Sequence, residues 1–177
     1  MIIEPAVPDP DDKDWTWVLQ TPCPDCGFDA ALVSGPQVGG LVRDAARRWQ
    51  VLLAGADVRR RPAPTVWSTA EYGSHCRDVC LIFGDRVALL LQQDDPAFSN
   101  WDQDRTALEK RYWADDPVVV AVELAAAAGA AAAAFETVTD KQWSRTGRRS
   151  NGSFFTVETL GRYFVHDLVH HLWDVRA

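Results

Sequence analysis

The sequence predicts an all-α fold, a four-helix bundle with one long crossover between its second and third helices. Four long segments of the 177-residue chain carry apolar residues at helical spacing, and none carries the sustained alternation of a β-strand. A long stretch, residues 94–116, separates the second segment from the third. Because a long connection lets two helices run parallel instead of folding back as a hairpin, we expect the crossover at this point.

Local signals mark where the helices begin. The first predicted helix carries an apolar stripe from Val38 onward. Ser68 and Glu71 form the capping box of the second, while Asp116 as N-cap and Pro117 at the first helical position open the third. The predicted helices cover residues 36–53, 68–93, 116–138 and 156–176, with a short additional helix near 105–112 inside the crossover.

Composition excludes several classes of function. The net charge is −7 and no dense basic patch is present, so we expect no nucleic-acid partner. The N-terminus lacks the features of a secretory signal, and the alanine-rich stretch 118–135 is interrupted by Glu123 and Gly129, so no membrane span is expected. We therefore predict a cytoplasmic protein with reduced thiols. We expect one domain over residues 1–177, an irregular segment 1–35 followed by the helical bundle 36–177.

Histidines are concentrated on two predicted helices. At about 100° per residue, His166 and His170 share a face of the fourth helix, while His171 is turned toward that helix's apolar stripe. His75 lies on the apolar face of the second helix. We predict that His75, His166 and His170 bind one divalent metal inside the bundle and that His171 does not; histidines satisfied within an apolar core are the alternative. Imidazole suits several metals, of which zinc is expected, with nickel or iron as alternatives.

Two carboxylates follow the predicted ligands by one helical turn. Asp174 follows His170, and Asp78 follows His75. Each is a weak candidate for a catalytic base, and each could instead accept a hydrogen bond from the ring N–H of a ligand, which is the role we favour. An exposed salt bridge is the alternative, and for Asp78 it is as well supported as any function.

The motif CPDCG contains Cys23 and Cys26 and resembles half of a structural zinc site. The other two cysteines, Cys76 and Cys80, are four apart on the second predicted helix and could complete a four-cysteine set. Buried cysteine often behaves as a small apolar residue, and we expect this of both. A thioredoxin-like redox role lacks its βαβ context. We therefore predict that Cys23 and Cys26 form a reduced turn packed against the bundle.

Residues 36–177 resemble the DinB-like superfamily, whose pattern here reads Trp67-Ser68-x-x-Glu71-Tyr72-x-x-His75 and His166-x-x-x-His170. The resemblance implies the four-helix fold, a divalent metal on three histidines and a homodimer. Related families include mycothiol-dependent maleylpyruvate isomerase, bacillithiol S-transferases and metal-dependent hydrolases. The resemblance thus implies a thiol-dependent transferase or isomerase that acts on a small electrophile, with a thiol such as mycothiol as cofactor. A metal-dependent hydrolase, or a non-catalytic metal-binding or ligand-binding dimeric stress protein, is the alternative.

Overall fold

The computed structural model describes residues 4–11 and 13–176, and these contain five α-helices. The helices are, in chain order, α1 (Val38–Leu53), α2 (Thr69–Gln92), α3 (Gln103–Lys110), α4 (Pro117–Glu136) and α5 (Val157–Asp174). The four long helices lie close to their predicted bounds, and α3 is the short helix expected within the crossover. The predicted fold class is confirmed.

The four long helices surround one hydrophobic core. Helices α4 and α5 each pack against both α1 and α2, which gives the bundle its four walls. At its centre, Phe164 of α5 stacks on Phe83 of α2, with ring centroids 4.9 Å apart, and on Phe135 of α4 at 6.1 Å. Cys76 and Cys80 belong to the same core, as expected for small apolar residues.

The helix starts follow the predicted chemistry. Ser68 accepts a hydrogen bond from the backbone N–H of Glu71, whose carboxylate accepts one from the backbone N–H of Ser68 at 2.9 Å. Asp116, the N-cap of α4, accepts a hydrogen bond from the backbone N–H of Val118 in the first turn of the helix. These bonds satisfy backbone donors that a helix N-terminus otherwise leaves unpaired.

A small three-stranded sheet was not predicted. It consists of β1 (Ala97–Phe98), β2 (Thr146–Arg149) and β3 (Phe154–Thr156), with β1 parallel and β3 antiparallel to the central β2. The sheet ties the crossover to the connection between α4 and α5. Strands this short cannot show a recognisable alternation of apolar and polar residues, so the sequence pattern did not reveal them.

Helix α4 is long and apolar enough to cross a membrane by length and composition alone, a test that the core helix of a bundle also passes. Here its buried side, which includes Leu124 and Ala128, faces α1 and α2. Val118 and Val122 lie on its exposed side. The expected absence of a membrane partner stays a prediction.

The N-terminal segment covers one face of α5. It contains short 3-10 helices at Trp15–Leu19, Ala30–Leu32 and Gly35–Gln37, and all three contact α5. Part of the apolar surface of α5 thus finds partners within the chain, whereas Trp173 is 49% exposed. The homodimer stays a prediction.

Gly161 tests the packing of α5. A Cβ at this buried position would lie 2.9 Å from both Phe135 Cε1 and Val38 Cγ2, closer than packed carbon atoms approach. We expect Gly161→Ala to lower the free energy of unfolding by about 1–3 kcal/mol in chemical denaturation, although alanine favours helix.

Gly40 supplies the matched control. It lies on the exposed side of α1, and a Cβ there would meet no atom within 4 Å. We expect Gly40→Ala to raise the free energy of unfolding by up to about 1 kcal/mol. Equal stabilisation by both substitutions would contradict the close approach at Gly161.

Candidate metal centre

Two imidazoles and a carboxylate converge where α2 meets α5. His75 Nε2 lies 3.3 Å from Asp167 Oδ1, and His171 Nε2 lies 3.5 Å from the same oxygen. The rings of His75 and His171 meet edge to face, with centroids 4.7 Å apart. Asp167 and His171 are four residues apart on α5 and so share a helix face. We call this set of three residues the interhelix cluster.

Neighbouring side chains hold both imidazoles in place. The Trp101 ring from the crossover stacks on His75 at a centroid distance of 5.2 Å and an interplanar angle of 13°. His171 Nδ1 lies 2.7 Å from Asp174 Oδ2, the distance of a hydrogen bond from the ring N–H to the carboxylate. With Nδ1 engaged in this way, Nε2 is the nitrogen that faces Asp167.

The charges of the interhelix cluster follow from burial and pairing. Burial lowers the pKa of His75, which favours the neutral ring. Burial also opposes charge on Asp167, but the His75 hydrogen bond and the surrounding imidazoles bring its pKa below the ordinary value. For His171, burial is outweighed by Asp174 and Asp167, which raise its pKa. Both imidazoles must be neutral to bind a metal, so a divalent ion would compete with the proton that Asp174 and Asp167 favour on His171.

The separations within this cluster also fit one metal ion. Zinc bound to nitrogen and oxygen at about 2.0–2.2 Å in a tetrahedral site holds those atoms about 3.4 Å apart. The two distances to Asp167 Oδ1, 3.3 Å from His75 Nε2 and 3.5 Å from His171 Nε2, match that value. His75, Asp167 and His171 are therefore the residues that would hold the metal implied by the family.

A second group of metal-binding side chains lies on the adjacent face of α5. Cys23, Cys26, His166 and His170 each offer one ligand atom, and these atoms all lie within 4.8 Å of one another. Cys23 Sγ lies 3.6 Å from His170 Nδ1. Burial, helped by the adjacent Cys23, raises the pKa of the Cys26 thiol to about 11. We call these four residues the Cys-His cluster.

The structure does not bring the predicted set of His75, His166 and His170 together, because His75 lies in one cluster and the other two lie in the second. Helix α5 is turned so that the ring of His171 contacts that of His75. Adjacent helical residues differ by about 100° in direction, so a shift of one residue in phase exchanges the two pairs. Metal binding by either cluster stays a prediction.

Asp167 was not considered as a ligand from the sequence, although a signal was present. Asp167-x-x-x-His171 has the same spacing as His166-x-x-x-His170, displaced by one residue. Carboxylate oxygen binds zinc at much the same distance as imidazole nitrogen.

The two aspartates named as weak catalytic candidates occupy different surroundings. Asp174 lies 2.7 Å from His171 but 3.9 Å from His170, so it supports the histidine of the interhelix cluster. Asp78 is buried and does not line the cavity described below. Instead, its carboxylate accepts hydrogen bonds from Tyr112 Oη at 2.5 Å, Lys110 Nζ at 2.8 Å and Arg77 Nε at 3.0 Å.

A cavity of about 330 Å³ is lined by two residues of each cluster, Asp167 and His171 of the first and His166 and His170 of the second. The N-terminal segment, the start of α3 and one side of α5 form its walls, and Trp67 and Tyr163 supply aromatic surface. Lys13 is the single lysine or arginine among its described lining residues. Six carboxylates line it, those of Asp9, Asp11, Asp25, Asp104, Asp167 and Asp174. Such a lining gives the cavity a negative potential.

Fold and side-chain clusters define a helical-bundle protein with candidate metal centres. The chain belongs to the DinB superfamily, which it matches over residues 37–175. It is similar in fold to YfiT from Bacillus subtilis, described as a probable metal-dependent hydrolase with an unusual four-helix bundle topology. The two chains share 19% sequence identity over 78% of this chain and 82% of the other, with a TM-score of 0.70. No curated protein matches the sequence.

Asp78 tests how a buried carboxylate outside the cavity contributes to the stability of the fold. Burial raises its pKa, but the bonds from Lys110, Tyr112 and Arg77 more than compensate, so its pKa lies below the ordinary value. The stability that it contributes is therefore present above the pKa of the unfolded chain, about 3.9, and is lost as the pH falls through the folded-state pKa.

We expect Asp78→Asn to lower the free energy of unfolding at pH 7 by about 1–3 kcal/mol, because the buried amide loses the charge-assisted bonds from Lys110 and Arg77. In urea denaturation the difference from the wild type should shrink as the pH approaches about 3. Glu109→Gln, which breaks the exposed pair with Arg105, serves as control and should change the stability by less than about 1 kcal/mol. A pH-independent loss in Asp78→Asn would show that the carboxylate charge is not what stabilises this region.

Proposed function

We propose that this protein is a metal-dependent hydrolase of small neutral or cationic molecules, with its active site at the interhelix cluster. The observation that carries the proposal is the convergence of His75 Nε2, His171 Nε2 and Asp167 Oδ1 beside the cavity. Two histidines and one carboxylate are the protein ligands of zinc in hydrolytic enzymes. A bound divalent ion would lower the pKa of a water molecule or thiol in the cavity toward neutrality.

The acidic lining of the cavity favours hydrolysis of neutral or cationic molecules over thiol transfer to an anionic electrophile. The family resemblance implied first a thiol-dependent transferase or isomerase acting on an electrophile, with mycothiol as cofactor, and second a hydrolase. An anionic electrophile such as maleylpyruvate would meet the carboxylates of Asp11, Asp104 and Asp174 in this cavity. The description of YfiT as a probable metal-dependent hydrolase supports placing the hydrolase before the transferase.

The residues of this chain have separable tasks in such a site. Asp174 fixes the His171 ring through Nδ1, so that Nε2 points to the shared centre. Trp101 stacks on His75 and keeps bulk water from that side of the ring. The carboxylates of the N-terminal segment select the charge of the substrate, since they repel anions and attract cations. Positioning and selection therefore come from different parts of the chain.

The charge preference is tested with three series of small esters that share one leaving group. The acyl parts are neutral, cationic and anionic, and hydrolysis is followed with zinc, nickel or iron(II) supplied. We expect the highest kcat/KM for cationic or neutral esters and the lowest for anionic ones. A preference for anionic esters would contradict the assigned role of the aspartates.

The donor set is tested by substitution. His75→Ala and His171→Ala should each reduce hydrolysis to background and remove one metal equivalent by elemental analysis. Asp174→Asn should keep the metal site but lower kcat/KM by about 10–100-fold, because the His171 ring loses its acceptor. Glu109→Gln, on the exposed side of α3, should behave as the wild type.

The same assays separate the alternatives. Turnover that requires a low-molecular-weight thiol such as mycothiol, measured as loss of free thiol with a neutral electrophile, would replace the hydrolase by a transferase. Metal binding without turnover of either kind would make this a non-catalytic binding protein. If His75→Ala and the wild type bind the same amount of metal, the proposed centre is wrong.

A further inference from the structure

We infer that Cys23, Cys26, His166 and His170 form a second, structural zinc centre that fastens the N-terminal segment to α5. The Cys-His cluster shares no residue with the interhelix cluster, so this inference stands independently of the proposed hydrolase. Two thiolates and two imidazoles in tetrahedral arrangement are a common donor set for structural zinc.

The separations within the Cys-His cluster fit a single ion. Zinc–sulfur bonds of about 2.3 Å and zinc–nitrogen bonds of about 2.0–2.1 Å hold sulfur and nitrogen about 3.5 Å apart in a tetrahedron. Cys23 Sγ and His170 Nδ1 are 3.6 Å apart. In a two-iron cluster with mixed ligands, the cysteines and the histidines bind different irons, so this close sulfur–nitrogen approach favours one ion.

Burial gives the cluster a reason to bind a ligand. Cys23 is 1% exposed, His166 is 3% exposed and His170 is 7% exposed. His166 Nε2 is buried and has no hydrogen-bond partner among the described residues. A buried polar nitrogen without a partner is costly, and a metal bound by the imidazoles would remove part of that cost.

The backbone of the CPDCG turn is shaped to present both sulfurs. The N–H of Gly27 donates to Cys23 O at 2.9 Å, and the N–H of Cys23 donates to Phe28 O at 2.8 Å. Gly27 has a φ of +73°, a conformation that a residue with a side chain adopts only with strain.

The location of the cluster gives it a structural task. Trp15 lies over the two imidazoles, with ring centroids 4.7 Å from His170 and 5.7 Å from His166. Trp15 Nε1 donates to Asp11 Oδ2 at 2.7 Å, and the N–H of Asp11 donates to Asp104 Oδ2 at 3.0 Å. Zinc at the Cys-His cluster would therefore hold the wall of the cavity in place. Four protein ligands leave no open position for a substrate, as in structural zinc sites.

Cobalt substitution tests the centre directly on the wild-type protein. Cobalt(II) bound to thiolate has a strong near-ultraviolet charge-transfer absorption that nitrogen and oxygen ligands do not give. We expect this absorption in the wild type and in His75→Ala, and its loss in Cys23→Ser/Cys26→Ser. Cys80→Ala removes a core cysteine outside the cluster and should keep it. Absence of the absorption in reduced wild type, or its survival in the double variant, would overturn the inference.

Zinc content and thiol alkylation of the wild type provide readouts that do not depend on the folding of a variant. The reduced wild type should hold at least one zinc ion per chain, whether or not the interhelix cluster binds another. Cys23 and Cys26 should resist alkylation, measured by mass spectrometry, until a chelator is added. Chelation should also speed proteolytic cleavage before residue 38 while the helical circular dichroism persists. A zinc-loaded protein whose Cys23 and Cys26 alkylate at once, or form a disulfide with each other, would contradict zinc at this cluster.

Discussion

The rotation of α5 about its own axis is the constraint on which the rest of the site depends. Leu160, Phe164, Leu168 and Leu172 are all buried in the core of the bundle. Once this stripe faces the other helices, the direction of every remaining residue on α5 is fixed by the helical repeat. Asp167 and His171 then face α2, whereas His166 and His170 face the N-terminal segment. The burial of the apolar stripe of α5, which drives folding, thus determines which metal-binding side chains meet.

Two polar surfaces on one helix need two sets of partners. The α2 side supplies His75, and the crossover covers that histidine with Trp101. On the other side, residues 13–37 lie against the imidazoles with Trp15, Cys23 and Phe28. A buried imidazole is stable only where hydrogen bonds, metal or aromatic contacts replace water. The N-terminal segment is therefore part of the folded bundle and not an appendage to it.

Local signals in the sequence were sufficient for the fold but only in part for the site. The capping box at Ser68, the N-cap at Asp116 and the apolar stripe of α5 are properties of neighbouring residues, and each led to the correct element. Spacing along a helix likewise identified His166 and His170 as a pair. Which residues meet this pair depends on how α5 is rotated relative to α2. Apolar residues on more than one side of α5 leave that rotation undetermined in the sequence. The contact of Cys23 with His170 joins residues 147 apart, and no local pattern encodes it.

The match to the DinB superfamily begins at residue 37, and this limits what relatives can say about specificity. His75, Asp167 and His171, the residues of the proposed metal centre, lie within the matched range. Asp9, Asp11 and Lys13 lie outside it, yet they line the same cavity. The cysteines that would fasten this wall also precede the matched range. Three of the six carboxylates that line the cavity, those of Asp9, Asp11 and Asp25, thus precede the matched range, so the superfamily match does not describe this half of the acidic lining.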